Sequence, residues 1–513
     1  MAQPIAPFTI SAPGFLGLNQ QDSPVEMNQG FALRAKNCII DKSGRIASRK
    51  GWTKGHTANS DLATRDITCL GELIQNDGTT TILAAGGGFL FKLASTTLTT
   101  LTYGGGGVAP VIAANNWKFT ALNGIALFFQ RGYDPLIYDP AVSTTTFRRL
   151  SEHASYAGTV PLANTAISAF GRIWCADTAT NKNTVTWTDV ITPQVWTGGT
   201  AGSLNLLSVW PRGGDEIVAL AAHNNFLVIF GKKQTLIYSG ATTPSTMALH
   251  DTIDNVGCIA RDSVANTGDE LVFLSDSGVR SLMRTIQEKS SPIGDISRNV
   301  HDEIQTHIGV ENLDNVKSVY SPIYGFYLLT TPALNETYCF DMRKRLDDGS
   351  CRVTDWYDIT PKALLHANSR KLYIGRPGYI GEYDGYVDDA TAYRMEYYTT
   401  WVDFGNPLQA SILKKIMMTL IGVVNQVIIF KWGYDFISAQ QSETATITST
   451  AESAEWGTAE WGTAEWGSVI DVSPIAVNGG GSGKVMQFGF EGQVNGAAIS
   501  IQKIDIFTKD GKL

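Results

Sequence analysis

The chain has 513 residues and a formal net charge of −8, and it is 43% hydrophobic but only 17% charged, with 51 glycines. This length allows roughly two to four domains with substantial cores, and the low charge and many glycines favour short strands joined by turns over long solvated helices. The acidic balance argues against a general nucleic-acid-binding protein, which would carry a basic face.

The N-terminal segment, residues 1–52, is predicted to be an arm that ends in a β-hairpin over Ala35–Trp52. The hairpin turns at Asp41-Lys42-Ser43-Gly44, where glycine suits a left-handed backbone position. We expect this hairpin to supply the strand or strands that close the ring of repeats described next.

A strand–turn–strand pattern recurs through residues 53–390, with successive copies starting 44 to 56 positions apart. This spacing is typical of a four-stranded blade of a β-propeller, in which radial stacking buries sheet faces that one blade cannot bury alone. We predict about seven blades, with six or eight as alternatives. The copies are Gly78–Leu93, Gly124–Tyr138, Gly171–Trp187, Asn225–Tyr238, Asp269–Met283, Gly325–Phe340 and Arg370–Tyr383.

One short helix is predicted to interrupt this pattern, near 297–308. Val300, Ile304 and Ile308 recur every four positions and form one apolar stripe. Such a stripe normally faces a core, so we interpret the helix as a packing element and not as a functional one.

The final segment, residues 391–513, is predicted to be a β-sandwich or jelly-roll-like domain, because its strand-like runs alternate imperfectly between apolar and polar residues. Its longest apolar run, Ile416–Phe430, is too short and too interrupted for a membrane helix, which needs ~20 apolar residues. We therefore expect no membrane span and predict a hairpin that turns near Gly422–Asn425.

The sandwich also carries an insert at 454–468 with the sequence AEWGTAEWGTAEWGS, in which Trp456, Trp461 and Trp466 recur every five residues. A period of five fits neither a helix nor a strand. The three tryptophans either pack on the sandwich or a neighbouring subunit, or they form an exposed aromatic ladder for a partner, a sugar or a membrane. They are our candidate subunit or partner contacts.

We expect no catalytic residue, cofactor or metal site, and hence no enzyme. Paired carboxylates in a propeller suggest a glycosidase, and four follow the last repeat, but turn chemistry and charged edge protection explain them adequately. They are Glu382, Asp384, Asp388 and Asp389. The histidines show no metal-binding spacing, and the six scattered cysteines are predicted to be buried reduced thiols, as in a protein assembled in a reducing cytoplasm.

Two segments carry a resemblance to a known group of proteins. The first is defined by Gly17-x-Asn19, Asp22-x-Pro24, Asn37, Gly44 and Arg49-x-Gly51. The second runs from WVDFG at Trp401–Gly405 through KWGYDF and the Trp-Gly repeat to the final KDGKL. In this order they resemble the tail-tube and nozzle proteins of short-tailed bacteriophages.

The resemblance implies a structural protein of the virion tail, assembled in the host cytoplasm. Its subunits would form a ring, a hexamer, below the portal and adaptor. The ring would contact other tail proteins such as fibres, continue the DNA channel, and help to retain and release the genome. Double-stranded DNA would pass without sequence-specific binding, and a neutral or acidic lumen would avoid phosphate contacts that act as brakes.

Two other functions stay open from the sequence. One is a receptor- or glycan-binding phage tail protein that uses the tryptophan repeat or the sandwich. The other is a propeller-fold polysaccharide hydrolase that acts on the cell surface.

Overall fold

The structure, a computed structural model, describes residues 6–110, 112, 116–282, 295–404, 409–421, 426–447 and 472–511. Almost all regular structure in these ranges is β-strand. The predicted contact residues Trp456, Trp461 and Trp466 lie outside the described residues.

Strands between Thr53 and Glu382 form a seven-bladed β-propeller, which confirms the predicted fold class and blade number. In every blade the predicted hairpin supplies the second and third strands. In order, the blades comprise Ile67–Ile74, Thr80–Gly86, Phe89–Ala94 and Thr97–Tyr103; Lys118–Leu122, Ile125–Phe129, Leu136–Tyr138 and Thr146–Arg149; Ala163–Ala169, Arg172–Thr178, Thr184–Trp187 and Gly202–Asn205; Ile217–His223, Phe226–Gly231, Gln234–Ser239 and Ala248–Asp254; Ala265–Asn266, Leu271–Ser275 and Gly278–Ser281; Lys317–Ser321, Phe326–Thr331, Glu336–Arg345 and Cys351–Tyr357; Leu364–His366, Leu372–Arg376, Tyr379–Glu382 and Thr53–Lys54.

Thr53–Lys54 closes the ring by pairing with Tyr379–Glu382 as the outer strand of blade 7. The expectation that the hairpin Ala35–Trp52 closes the ring was therefore wrong by a few residues. Within that hairpin, Cys38–Ile40 and Ile46–Ser48 pair with each other, and Ile46–Ser48 pairs onward with the C-terminal strand Ser500–Asp510. The N-terminal arm thus belongs mainly to the second domain.

Six apolar clusters each lie between two neighbouring blades, as radial stacking requires, and a seventh, between blades 5 and 6, continues into the core of the second domain. Between blades 4 and 5, for example, the fully buried rings of Phe230 and Phe273 lie 4.7 Å apart between centroids. Burying one such side chain stabilises the fold by about 1.5–3 kcal/mol. Inner strands of adjacent blades touch around most of the ring, including blade 7 against blade 1, and between blades 4 and 5 the contact runs through the 3-10 turn Arg261–Ser263.

The second domain is a β-sandwich built from both ends of the chain. One sheet contains Ala6–Ser11, Cys38–Ile40, Ile46–Ser48, Ser411–Ile421, Val472–Asn478, Ser482–Gly483 and Ser500–Asp510. The other contains Gly17–Leu18, Phe31–Lys36, Tyr393–Thr399, Val427–Tyr434, Ile437–Thr446 and Met486–Val494. A parallel pairing of Lys36 with Asp355 joins this second sheet to blade 6, so that propeller and sandwich share one continuous sheet.

The predicted hairpin across Ile416–Phe430 was wrong. Ser411–Ile421 pairs with Ser500–Asp510 in one sheet, whereas Val427–Tyr434 pairs with Met486–Val494 in the other. The two strands therefore lie in different sheets. Both strands carry enough apolar residues for a buried face, and the sequence gives no indication that they separate.

The predicted helix exists as a short 3-10 turn, Arg298–Val300, followed by the α-helix His301–Val310. Val300 and Ile304 are buried against the core shared by blades 5 and 6 and the sandwich, as the apolar stripe predicts. Other 3-10 turns are Leu150–Glu152, Pro244–Thr246, Arg261–Ser263 and Pro332–Leu334. No helix in the described ranges is both long enough and apolar enough to cross a membrane.

Candidate functional site

The strongest polar feature between the two domains is a buried joint centred on Arg49. The Arg49 guanidinium is fully buried and donates to both carboxylate oxygens of Asp388, at 2.8 and 2.6 Å. Its Nε donates to Asn37 Oδ1 at 2.9 Å, and the ring of Tyr393 lies 4.0 Å below its central carbon. A two-pronged arginine–carboxylate pair fixes both partners in orientation as well as in distance.

Asn37 extends this joint in three directions. Its backbone φ of +54° is left-handed, a conformation that asparagine tolerates better than most residues. Its side-chain amide donates to the carbonyl of Arg394 at 2.7 Å, and its Oδ1 accepts from the backbone N–H of Tyr357 at 2.9 Å. One side chain therefore connects the N-terminal arm, blade 6 and the sandwich.

Two glycines of the same N-terminal motif sit where backbones meet closely. A Cβ at Gly51 would lie 1.8 Å from the carbonyl oxygen of Val387, and one at Gly17 would lie 2.5 Å from that of Val353. Gly17 also has a φ of +85°, which glycine adopts without strain. These residues are needed for the packing of the arm against the propeller.

The four carboxylates at the end of blade 7 and just after it all form ion pairs. Asp384 pairs with Lys50 at 2.8 Å, and this contact lowers the pKa of Asp384 from its ordinary value. A glycosidase acid needs the opposite, a carboxyl group with a raised pKa. The other pairs are Asp388 with Arg49, Asp389 with Lys54 at 2.9 Å, and Glu382 with Lys371 at 2.9 Å. These are structural ion pairs: two join the arm to the segment after blade 7, and the other two involve lysines of blade 7 itself.

A second polar network fills the axis of the propeller. Arg261, between blades 4 and 5, donates to the carbonyl and amide oxygens of Asn164 on blade 3 and of Asn116 beside blade 2, at 2.6 to 3.1 Å. Asp262 accepts from Lys118 of blade 2 at 2.9 Å and from Lys317 of blade 6 at 2.5 Å. Although burial opposes it, the charges of Arg261, Lys118 and Lys317 hold the pKa of Asp262 well below its ordinary value.

These contacts divide the axis into small cavities. One of about 260 Å³ is lined by Asp66, Asn116, Lys317 and Lys362, and another of about 130 Å³ by Lys118, Asp262 and neighbours. A propeller whose blades are connected across the axis by side chains has no open central channel, so a DNA duplex could not pass along it.

The strand Ile437–Thr446 is exposed along almost its whole length. It pairs with Val427–Tyr434 on one side and forms the end of its sheet among the described strands. Phe436 and Ile437, at its start, are 60% and 61% exposed. Lysine, proline or a covering element usually protects an edge strand against pairing with another chain. This strand, ISAQQSETAT, contains no lysine and no proline. It is therefore well suited to pair with, or be covered by, another chain.

A third group consists of Glu303 and His307 on the α-helix and Glu336 on blade 6, whose donor atoms all lie within 4.8 Å of one another. Among the described residues this is the group that could hold a metal ion. The sequence analysis did not predict this group, because it considered only the spacing between histidines. The sequence contains one indication, Glu303 and His307 one helical turn apart, but no pattern links them to Glu336.

The six cysteines are all buried and free, which confirms the prediction of reduced thiols in the core. Burial raises the pKa of Cys69 and of Cys258 to about 11 and that of Cys351 to about 12. These thiols are neutral at physiological pH and poorly reactive.

No family model matches the chain, and no curated protein matches it. Among solved structures, the WD40 domain of Neurospora crassa Pan2 is similar over 66% of this chain and 98% of that chain, at 11% identity and a TM-score of 0.38. The extracellular domain of a putative one-component system from B. thetaiotaomicron is similar over 82% of this chain and 58% of that chain, at 9% identity and a TM-score of 0.39. Hydrazine synthase from Kuenenia stuttgartiensis is similar over 64% of this chain and 98% of that chain, at 11% identity and a TM-score of 0.38. The fold assignment rests on strand pairing, and no function follows from these similarities.

Proposed function

We propose that this protein is a structural subunit of a short bacteriophage tail, which forms a ring with copies of itself. The ring continues the DNA channel below the portal and adaptor and helps to retain and release the genome. In this role the protein carries out no reaction.

The observation that carries the proposal is the position of the residues on which the phage-tail resemblance depends. Gly17, Asn37, Arg49 and Gly51 all lie where the N-terminal arm meets the propeller and the sandwich. A buried, two-pronged ion pair and close backbone contacts make such a joint stiff. A stiff joint suits a subunit that must transmit force without bending, because the two domains then move as one body.

The filled propeller axis places a constraint on the assembly. Since Arg261, Asp262 and their partners connect blades across the axis, DNA would have to run through a hole between subunits, with the propellers beside it. This arrangement requires contacts between chains. The exposed strand Ile437–Thr446 is our proposed site for one such contact, and Trp456, Trp461 and Trp466 remain the candidates for another.

Light scattering of the purified protein, alone and after addition of tail extract, tests the proposal. We expect a discrete oligomer in one or both conditions. A monomer in both would contradict it. A glycan array serves as the control, because saturable binding of a sugar would favour a receptor-binding protein instead.

A further inference from the structure

We propose that Glu303, His307 and Glu336 bind one divalent transition-metal ion, with Asp355 as a third acidic group nearby. This inference goes beyond the proposed tail function and does not depend on it. The ion would connect the inserted helix to blade 6.

The donor atoms have the spacing of a coordination shell. Glu303 and His307 lie one turn apart on the helix and so face the same side. His307 Nε2 and Glu336 Oε2 lie 3.4 Å apart. Two ligands at 2.0–2.2 Å from a tetrahedral ion are separated by about 3.4 Å, which matches this distance. Only small side-chain movements are needed to bring Glu303 to the same point.

The histidine is oriented for coordination through Nε2. Its Nδ1 lies 3.1 Å from the hydroxyl of Tyr338 and 3.3 Å from that of Thr331. When Nδ1 carries the proton and donates it to one of these oxygens, the lone pair of Nε2 points toward the carboxylates.

Unpartnered oxygens provide independent support for a missing ligand. Asp355 is only 4% exposed, yet its Oδ1 has no hydrogen-bond partner among the described residues. The same holds for Glu303 Oε2. Leaving a buried polar atom unsatisfied costs about 1–3 kcal/mol, and more when the group is charged. A cation bound by Glu303, His307 and Glu336 would satisfy Glu303 Oε2 and would place a positive charge near Asp355.

The charge balance points the same way. Glu303, Glu336 and Asp355 lie close enough to interact electrostatically, and Lys36 is the neighbouring cation. Three carboxyl groups face one lysine, so their negative charge must be neutralised by protons or by a cation, and a divalent ion would do so.

The ligand set determines the class of ion. One imidazole nitrogen with carboxylate oxygens suits Zn²⁺ or Mn²⁺, whereas Ca²⁺ prefers six to eight oxygen ligands. We therefore use Zn²⁺ as the probe.

The first experiment measures metal content. Tag-free protein is stripped with chelator, dialysed against Zn²⁺ and analysed by mass spectrometry of the elements, and its thermal unfolding is compared with and without Zn²⁺. We expect one tightly held ion per chain and a higher melting temperature. Wild-type protein that retains no zinc, or that binds Ca²⁺ in preference to Zn²⁺, would overturn the assignment.

Variants locate the site. Glu303→Gln and His307→Gln should each weaken zinc binding at least tenfold. Asp302→Asn is the matched control, because Asp302 is an exposed acid on the same turn of the helix. Equal affinity in all three variants would contradict the proposal. If the variants fold poorly, the visible absorption of Co²⁺ added to wild-type protein gives a second test. A spectrum that shows only the hydrated ion would refute the proposed site.

Discussion

Arg49 donates two hydrogen bonds to Asp388, at 2.8 and 2.6 Å, across 339 positions of the chain. The contact joins the N-terminal arm to the segment that follows blade 7, next to the point where Thr53–Lys54 closes the ring. Ring closure and the attachment of the sandwich are therefore coupled. Weakening this ion pair should loosen both domains together.

We expect Arg49→Met to lower the free energy of unfolding by about 3–5 kcal/mol, because it leaves the carboxylate of Asp388 partly buried and unpaired. Arg49→Lys should cost less, since lysine keeps the charge but not the two-pronged geometry. Denaturant unfolding followed by circular dichroism measures both values.

The control for this prediction is Arg212→Met. Arg212 forms a solvent-exposed pair with Asp254, with side chains 59% and 41% exposed. Such a pair contributes less than about 1 kcal/mol. Equal losses for Arg49→Met and Arg212→Met would show that the joint contributes no special stability.

The axis network predicts a pH-dependent contribution from Asp262. Its pKa is lower in the folded protein than in the unfolded chain, so the stability that it supplies is fully present above its ordinary pKa of 3.8 and is lost as pH falls through the folded value. Asp262→Asn should therefore destabilise the protein at pH 7. The difference from wild type should shrink below pH 3.8. Urea titrations over a pH series measure it, and a difference that grows toward acid pH would contradict the prediction.

The cysteines should be protected in the native protein. All six are buried, and burial raises the pKa values of the thiols, so little thiolate forms at pH 8. We expect negligible labelling by iodoacetamide under native conditions and six labels after unfolding. Intact-mass spectrometry counts the labels, and rapid modification of the native protein would show that the core opens readily.

The edge strand should contribute to assembly. Ser442→Lys places a charge on the exposed strand Ile437–Thr446, where it should prevent another chain from pairing or packing while the monomer stays folded. Thr99→Lys, on an exposed face of the outer strand of blade 1, is the matched control. Light scattering should show a smaller particle for Ser442→Lys only. Unchanged assembly in both variants would remove this strand from the proposed contact.

The sequence was most informative where structure is local. Each predicted hairpin, such as Asn225–Tyr238, consists of two strands joined by a turn, and the pattern of apolar residues and glycine is contained within the repeat. The helix was likewise predicted from the spacing of Val300 and Ile304. Contacts between segments far apart in the chain could not be predicted from the sequence. Nothing near Ile46–Ser48 indicates its pairing with Ser500–Asp510.

The same limitation applies to the candidate sites. The carboxylates from Glu382 to Asp389 were recognised as a cluster, but most of their cationic partners could not be identified, because Arg49, Lys50 and Lys54 lie more than 300 positions away in the sequence. Glu336 could not be linked to His307 for a similar reason, since blade 6 folds back on the helix only in three dimensions.

Imaging of the assembled protein by electron microscopy is the most direct test of the proposed ring. We expect closed rings of a constant number of subunits, six by the phage-tail resemblance, with propellers arranged around a central hole wide enough for a DNA duplex. Class averages that show only single chains, open filaments, or rings with no central hole would contradict it.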